Sequence, residues 1–243
     1  MTLVTAYDYP TGRLLDEAGV DIVLVGDSLG MVVLGFPDTT HVTLDHMLHH
    51  VEATARGVKN ALLVGDMPIH SYDTVEQAVQ SAKKLFLAGA DAVKLEGGAA
   101  QAGNIRAIVE AGIPAVGHIG LLPQKVLEEG GYKIKGKSSA EEEALVRDVE
   151  AVAEAGACAV VVEGVTPHAA RQVTVHSSIP TLGIGSGSHT CDGDVVVIHD
   201  LVGAFPWFIP AFVKPRADVA GSMTAAVKEW MEDCYTEPGS ISS

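Results

Sequence analysis

Five segments of this chain end an aliphatic run with an ionisable side chain. They are Val25-Gly26-Asp27-Ser28, Val64-Gly65-Asp66, Lys94-Leu95-Glu96-Gly97-Gly98, Gly117-His118-Ile119-Gly120 and Val162-Glu163-Gly164. Side chains alternate faces along a strand, so Lys94 and Glu96 share one face and Leu95 takes the other. If the shared face is the interior of a barrel, Asp27, Asp66 and Glu96 come from three successive strands and can converge. Converging carboxylates repel unless a cation sits among them. Three hard oxygen donors with water completing the shell suit magnesium, whereas zinc favours His or Cys. One acid after a strand is usually a helix cap. Four acids and a Lys in the same topological place point to a shared centre.

Other motifs carry less. His46 and His50 stand four apart on an expected helix, a metal-like spacing, but His49 and the lack of a neighbouring acid motif favour a solvated face. Gly183-Ile184-Gly185-Ser186-Gly187 follows a strand and resembles a phosphate cradle; room for close substrate approach is an equal reading. It lacks the spacing of a dinucleotide fingerprint, and no nucleophile elbow, P-loop or metal-type Cys pairing occurs.

The elements that must position these groups repeat along the chain. Short aliphatic runs at 3–7, 22–26, 61–65, 92–95, 115–117, 159–162 and 181–184 alternate with helical stretches such as 74–88, 100–111 and 139–155. Gly19, Gly89, Gly112 and Gly156 follow helical stretches where a C-cap favours glycine, and Thr166-Pro167 reads as an N-cap with Pro in the first turn. Such alternation predicts right-handed βαβ units and a parallel sheet. An eighth strand is needed for closure, at 195–198 or 211–213; periodicity leaves both open. With 243 residues and no low-complexity linker, the expectation is an α/β fold, a single-domain (β/α)8 TIM-type barrel spanning 1–243. Long connections at 29–42 and 121–137 read as lids or binding loops. The apolar run Phe205-Pro206-Trp207-Phe208-Ile209-Pro210 either packs beneath a loop or forms a subunit interface.

Hydrophobic residues make up 47% of the chain and aromatics only 5%, so the core must be aliphatic. Lys and Arg number 16 against 31 Asp and Glu, a formal charge of −15 that argues against nucleic acid and anionic membrane surfaces. Cys158, Cys191 and Cys234 are too scattered for a disulfide framework, and Cys158, within Ala157-Cys158-Ala159-Val160, reads as a buried, inert thiol. A reducing, cytoplasmic setting follows. No apolar stretch approaches the ~18 residues of a membrane span, and no signal peptide opens the chain.

The strand-end motifs, read with Thr5-Ala6-Tyr7-Asp8, Leu29-Gly30-Met31, Met67-Pro68, Gly130-Gly131-Tyr132-Lys133 and the 183–187 glycines, resemble the ketopantoate hydroxymethyltransferase family of the phosphoenolpyruvate mutase/isocitrate lyase superfamily. The matching segments run in family order over almost the whole chain. The resemblance implies a transferase that moves a hydroxymethyl group from 5,10-methylenetetrahydrofolate to 3-methyl-2-oxobutanoate, giving 2-dehydropantoate for pantothenate synthesis. It further implies Mg2+ and a homo-oligomer, a decamer. Carried over residue by residue, Asp27, Asp66 and Glu96 are the metal-site carboxylates. Asp27, Ser28, Asp66, Lys94 and His118 bind the keto acid, Glu163 is the general base, and Lys94 assists catalysis.

Departures from the family pattern fall elsewhere. Relatives carry a helical segment ahead of the first strand; 188–194 is one residue longer and has Asp194 where Gln is common; Pro215 replaces a basic residue. One rival reading is a lyase or mutase acting on a small α-keto acid at the same Mg2+ site, though the Lys-Lys-Cys-Gly-His motif of isocitrate lyases is missing. Another is a non-catalytic barrel, which the retention of every acid, the Lys and the His disfavours.

Overall fold

Val, Ile, Leu and Ala dominate eight short segments, as suits strands covered on both faces. These are β1 (Thr2–Thr5), β2 (Ile22–Val25), β3 (Leu62–Asp66), β4 (Ala92–Glu96), β5 (Ala115–Gly120), β6 (Ala159–Glu163), β7 (Thr181–Ile184) and β8 (Gly193–Val196). Each pairs in parallel with the next, and β8 returns to β1, so the sheet is a closed eight-stranded barrel. The computed structural model describes residues 1–235, and the chain divides into two compact units, Met1–Val197 and Ile198–Ser243. The barrel belongs to the first.

Helices connect the strands: α1 (Tyr9–Ala18), α2 (Leu29–Val32), α3 (Leu44–Ala55), α4 (Val75–Leu87), α5 (Ala102–Glu110), α6 (Val126–Glu129), α7 (Ser139–Glu154) and α8 (Pro167–His176). The longer ones neighbour one another in chain order, α1 on α3, α3 on α4, α4 on α5, α5 on α7 and α7 on α8. The expected caps form. Thr166 accepts from the Ala169 N–H with Pro167 in the first turn, and Gly19 closes α1 in the left-handed region at φ 82°. Outward-facing Gly117 lets α7 approach, because a Cβ there would lie 2.4 Å from Val152 Cγ1.

Leu24, Val64, Ala92, Val116 and Val161 belong to one buried interior cluster. Period two then fixes what stands on the same face nearer the strand ends. Asp66 follows Val64, Lys94 and Glu96 follow Ala92, His118 follows Val116, and Glu163 follows Val161. Register sets their heights, with Asp66 beside Lys94 and Glu96 beside His118.

The opposite, strand-start end uses acids differently. Asp21 accepts from the Thr2 N–H at 2.7 Å, Asp91 from Leu63 at 2.9 Å and Asp192 from Thr181 at 2.9 Å. Each acid precedes a strand and satisfies an N–H of the strand before it. Asp16 of α1 similarly accepts from Asn60 N, Ala61 N and Asn60 Nδ2 at 2.8–2.9 Å.

Three expectations need correction. The eighth strand is Gly193–Val196, earlier than 195–198, because Gly193 and Asp194 pair with β7 and Thr2–Val4 with Asp194–Val196. Residues 211–213 lie in the second unit and form a turn, closed by the Val213 N–H on Pro210 O at 2.9 Å. Cys158 is exposed rather than buried: it precedes β6, at the strand-start end, with Sγ donating to Ala115 O at 3.3 Å. In the second unit, α9 (Ile198–Leu201) and α10 (Val219–Tyr235) are joined through Arg216 N to Leu201 O and Val219 N to Val202 O.

Backbone N–H donors hold the Asp16 carboxyl down at about 2, below the usual carboxylate range. A depressed folded-state value contributes stability above the ordinary range, and that contribution is lost as pH falls through about 2. Asp16→Ala should therefore cost on the order of 2–3 kcal/mol at neutral pH in urea denaturation, and much less near pH 2.

Candidate active site

At the strand ends the barrel interior turns from aliphatic to charged. Asp27, Asp66, Lys94, Glu96 and His118 are all buried there, each no more than 5% exposed. Lys94 Nζ donates to Asp66 Oδ1 at 2.7 Å and lies 3.4 Å from His118 Nδ1. Asp66 also accepts through Oδ2 from the Asp27 N–H at 3.2 Å, which ties the turn after β2 to β3. Asp27 is out of phase with the interior residues of β2, so this turn rather than strand alternation brings it inward. His118 stands between two acids, with Nδ1 3.4 Å from Glu96 Oε1 and Nε2 3.2 Å from Glu163 Oε2. Glu163 is partly open, its side chain 23% exposed.

Electrostatics follow from this crowding. Burial, then the charges of Asp66 and Glu96, raises Asp27 well above the usual carboxylate range. Burial also raises Asp66, although Lys94 opposes it. Burial disfavours the Lys94 cation, but Asp66, Glu96 and Asp27 outweigh that cost and keep it protonated. Burial and Lys94 likewise oppose the His118 imidazolium, yet Glu96 and Glu163 prevail and lift it to about 9. For Glu96, burial is outweighed by His118 and Lys94, which hold it below its ordinary value.

Ser28 sits at the edge of this group, its Oγ 2.9 Å from the Tyr7 hydroxyl. His46 and His50 are not paired for a metal: His46 Nδ1 accepts from Thr43 N in a helix cap, and His50 Nδ1 faces Tyr7 O at 2.6 Å. In the 183–187 loop, Ser186 Oγ donates to Val162 O at 2.6 Å, so that hydroxyl is spent on backbone. The long connections do meet, through the Tyr132 O–H and Met31 Sδ at 3.9 Å.

Two polar residues were missed by sequence reasoning. Gln124, 3% exposed, donates from Nε2 to Asp27 Oδ2 at 2.8 Å and to Met67 O at 3.0 Å, and its backbone N–H reaches Glu96 Oε2 at 3.1 Å. Tyr72 donates its hydroxyl to Gln124 Oε1. Both lie on connections, where no periodic pattern marks a residue as inward. The one available signal was position, since Gln124 follows the Gly117–Leu121 motif by three residues.

Could these residues hold a divalent cation? Among the described residues no three His, Cys, Asp or Glu side chains form a ready-made cage. Magnesium seldom uses one; it takes one or two carboxylates and completes its shell with water and substrate oxygens. The donor set is all oxygen, Glu96 Oε1 is buried with only His118 Nδ1 beside it at 3.4 Å, and burial together with like charge disfavours the Asp27 carboxylate. The set fits Mg2+.

Comparison with known proteins places the chain. The family model described as ketopantoate hydroxymethyltransferase matches residues 1–238. The chain belongs to the ketopantoate hydroxymethyltransferase family. It is 50% identical over 234 residues to the 3-methyl-2-oxobutanoate hydroxymethyltransferase of Ignicoccus hospitalis, covering 96% of this chain and 88% of the relative. Its fold is similar to phosphoenolpyruvate phosphomutase from Streptomyces platensis subsp. rosaceus, with TM-score 0.68, 17% identity and coverage of 96% and 83%. A phosphonopyruvate hydrolase solved with oxalate and Mg2+ is similar at TM-score 0.65 and 14% identity, covering 98% and 94%. These two likenesses concern fold alone.

Removing the Lys94 charge should expose the repulsion it offsets. Lys94→Met is expected to destabilise the protein by about 3–5 kcal/mol, because it leaves a buried carboxylate uncompensated. Lys94→Met with Asp66→Asn should recover much of that loss in chemical denaturation, a coupling that independent sites would not show.

Proposed function

We propose that this family member transfers a hydroxymethyl group from 5,10-methylenetetrahydrofolate to 3-methyl-2-oxobutanoate, giving 2-dehydropantoate. The observation that carries the reading is the Asp27–Asp66–Lys94–Glu96–His118 group gathered at the strand ends, in a chain half-identical to enzymes named for that acceptor. Asp27, Asp66 and Glu96 would hold Mg2+. Bound there, the ion supplies Lewis-acid polarisation of the keto acid, which acidifies the C3 proton.

The remaining chemistry belongs to the chain. Lys94, cationic and fixed on Asp66, places positive charge where enolate oxygen charge develops, and such preorganised charge is usually the largest catalytic contribution. Ser28, the Asp27–Asp66 edge and His118, whose Nε2 lies 3.2 Å from Glu163 Oε2, offer polar contacts for a small keto acid. Glu163, on β6 and partly open beside His118, accepts the C3 proton. The C3 carbanion then bonds to the one-carbon unit. Water supplies the hydroxyl oxygen, and tetrahydrofolate leaves with the carbon–nitrogen bonds broken.

The charge of −15 supports small-molecule partners over nucleic acid, and among the described residues no helix is long and apolar enough to cross a membrane. A cytoplasmic setting agrees with three unpaired cysteines. Homo-oligomerisation is part of the proposal, supported by exposed Trp207, Phe208 and Phe212 and by the Met223, Val227, Trp230 and Met231 stripe of α10.

Glu163→Gln tests the base directly. Keto-acid binding by calorimetry should persist, while C3 deuterium exchange, followed by proton NMR in heavy water, should fall by about 10²–10⁴-fold. Undiminished exchange would remove Glu163 from the role.

A further inference from the structure

Gln124 reaches two acids of the charged centre at once. One side-chain nitrogen spans Asp27 Oδ2 and Met67 O, and its backbone N–H holds Glu96 Oε2. It thereby joins carboxylates contributed after β2 and on β4 through one residue of the 121–137 connection. An amide can sit either way round, but here both neighbours of Nε2 are acceptors, and the reverse orientation would set oxygen against oxygen. Tyr72 closes the choice from the other side, because its hydroxyl donates to Gln124 Oε1. Burial and the surrounding carboxylates push the Tyr72 phenol upward, so it remains a donor.

We propose that Tyr72 and Gln124 are a positioning pair, in which Tyr72 fixes the Gln124 amide and Gln124 sets the spacing of the Asp27 and Glu96 carboxylates for a divalent cation. The inference rests on the cation-site reading above. Neither residue touches the reacting atoms. One oxygen of Asp27 is committed to Gln124, which leaves the other available to a cation, and Glu96 divides in the same way, Oε2 on the Gln124 N–H and Oε1 beside His118 Nδ1 at 3.4 Å without a tight hydrogen bond. Hydrogen bonds that orient ligating carboxylates in this way commonly govern metal affinity.

Mn2+ titration followed by electron paramagnetic resonance gives a readout independent of turnover. Gln124→Met, close in volume and unable to donate, should weaken Mn2+ binding by about 10–100-fold. Tyr72→Phe, which removes only the hydroxyl, should weaken it by about fivefold, the equivalent of one neutral hydrogen bond. Because Tyr72 acts through Gln124, Tyr72→Phe should add nothing in the Gln124→Met background. A purely structural role would lower the melting temperature and leave Mn2+ affinity of the folded protein unchanged. Unchanged affinity in folded Tyr72→Phe overturns the pairing even if Gln124→Met does not fold, as do additive losses in the double variant. If the wild-type protein itself bound no Mn2+, the cation-site reading would fall, and the pairing with it.

Discussion

The structure depends on keeping several like charges out of water within one buried cluster. Three buried carboxylates at the end of a closed sheet would not remain together on their own, because a low-dielectric surrounding magnifies their repulsion as much as it magnifies attraction. Lys94 answers part of this, anchored on Asp66 at 2.7 Å, and His118 answers another part from between Glu96 and Glu163. Burial first, and then the charge those two groups leave uncompensated, pushes Asp27 well above the usual carboxylate range. A divalent cation would complete that balance.

Acids at the two ends of the barrel illustrate how surroundings choose a role. Asp16, Asp21, Asp91 and Asp192 each accept from backbone N–H groups near strand starts, where the carboxylate is satisfied and the strand ladder is anchored. At the strand ends the acids meet side-chain groups as well, Lys94, His118 and Gln124. Stability at one face and chemistry at the other is the usual division in this architecture. Gln124 adds a neutral group to the strand-end face, a loop residue whose donors serve two of the crowded acids.

Kinship and fold contribute separate things. Identity of 50% to the Ignicoccus hospitalis enzyme places the chain in its family. The likeness to a phosphomutase and a phosphonopyruvate hydrolase, at 17% and 14% identity, shows a shared barrel, and a shared barrel hosts many reactions. The chemistry has to be argued from the side chains at the mouth. Here they are oxygen donors around an ammonium fixed on Asp66. The second unit has another character, with α10 burying no residue of its own.

Much of this was legible along the chain, for a definite reason. Period two and period 3.6 are local properties, so seven strands and the main helices follow from runs of aliphatic residues and their caps. The same periodicity places Lys94 with Glu96 and sets Asp66, His118 and Glu163 at strand ends. Tertiary structure alone chose Gly193–Val196 as the closing strand, since closure depends on pairing with both β1 and β7. It alone exposed Cys158 and turned Tyr72 and Gln124 inward, and it brought in Asp27, expected there from its motif, by a turn rather than by strand alternation. The last three sit on turns and connections, where no repeat relates a residue's number to its direction. Their positions are fixed by hydrogen bonds to groups from 39 to 97 residues away in sequence.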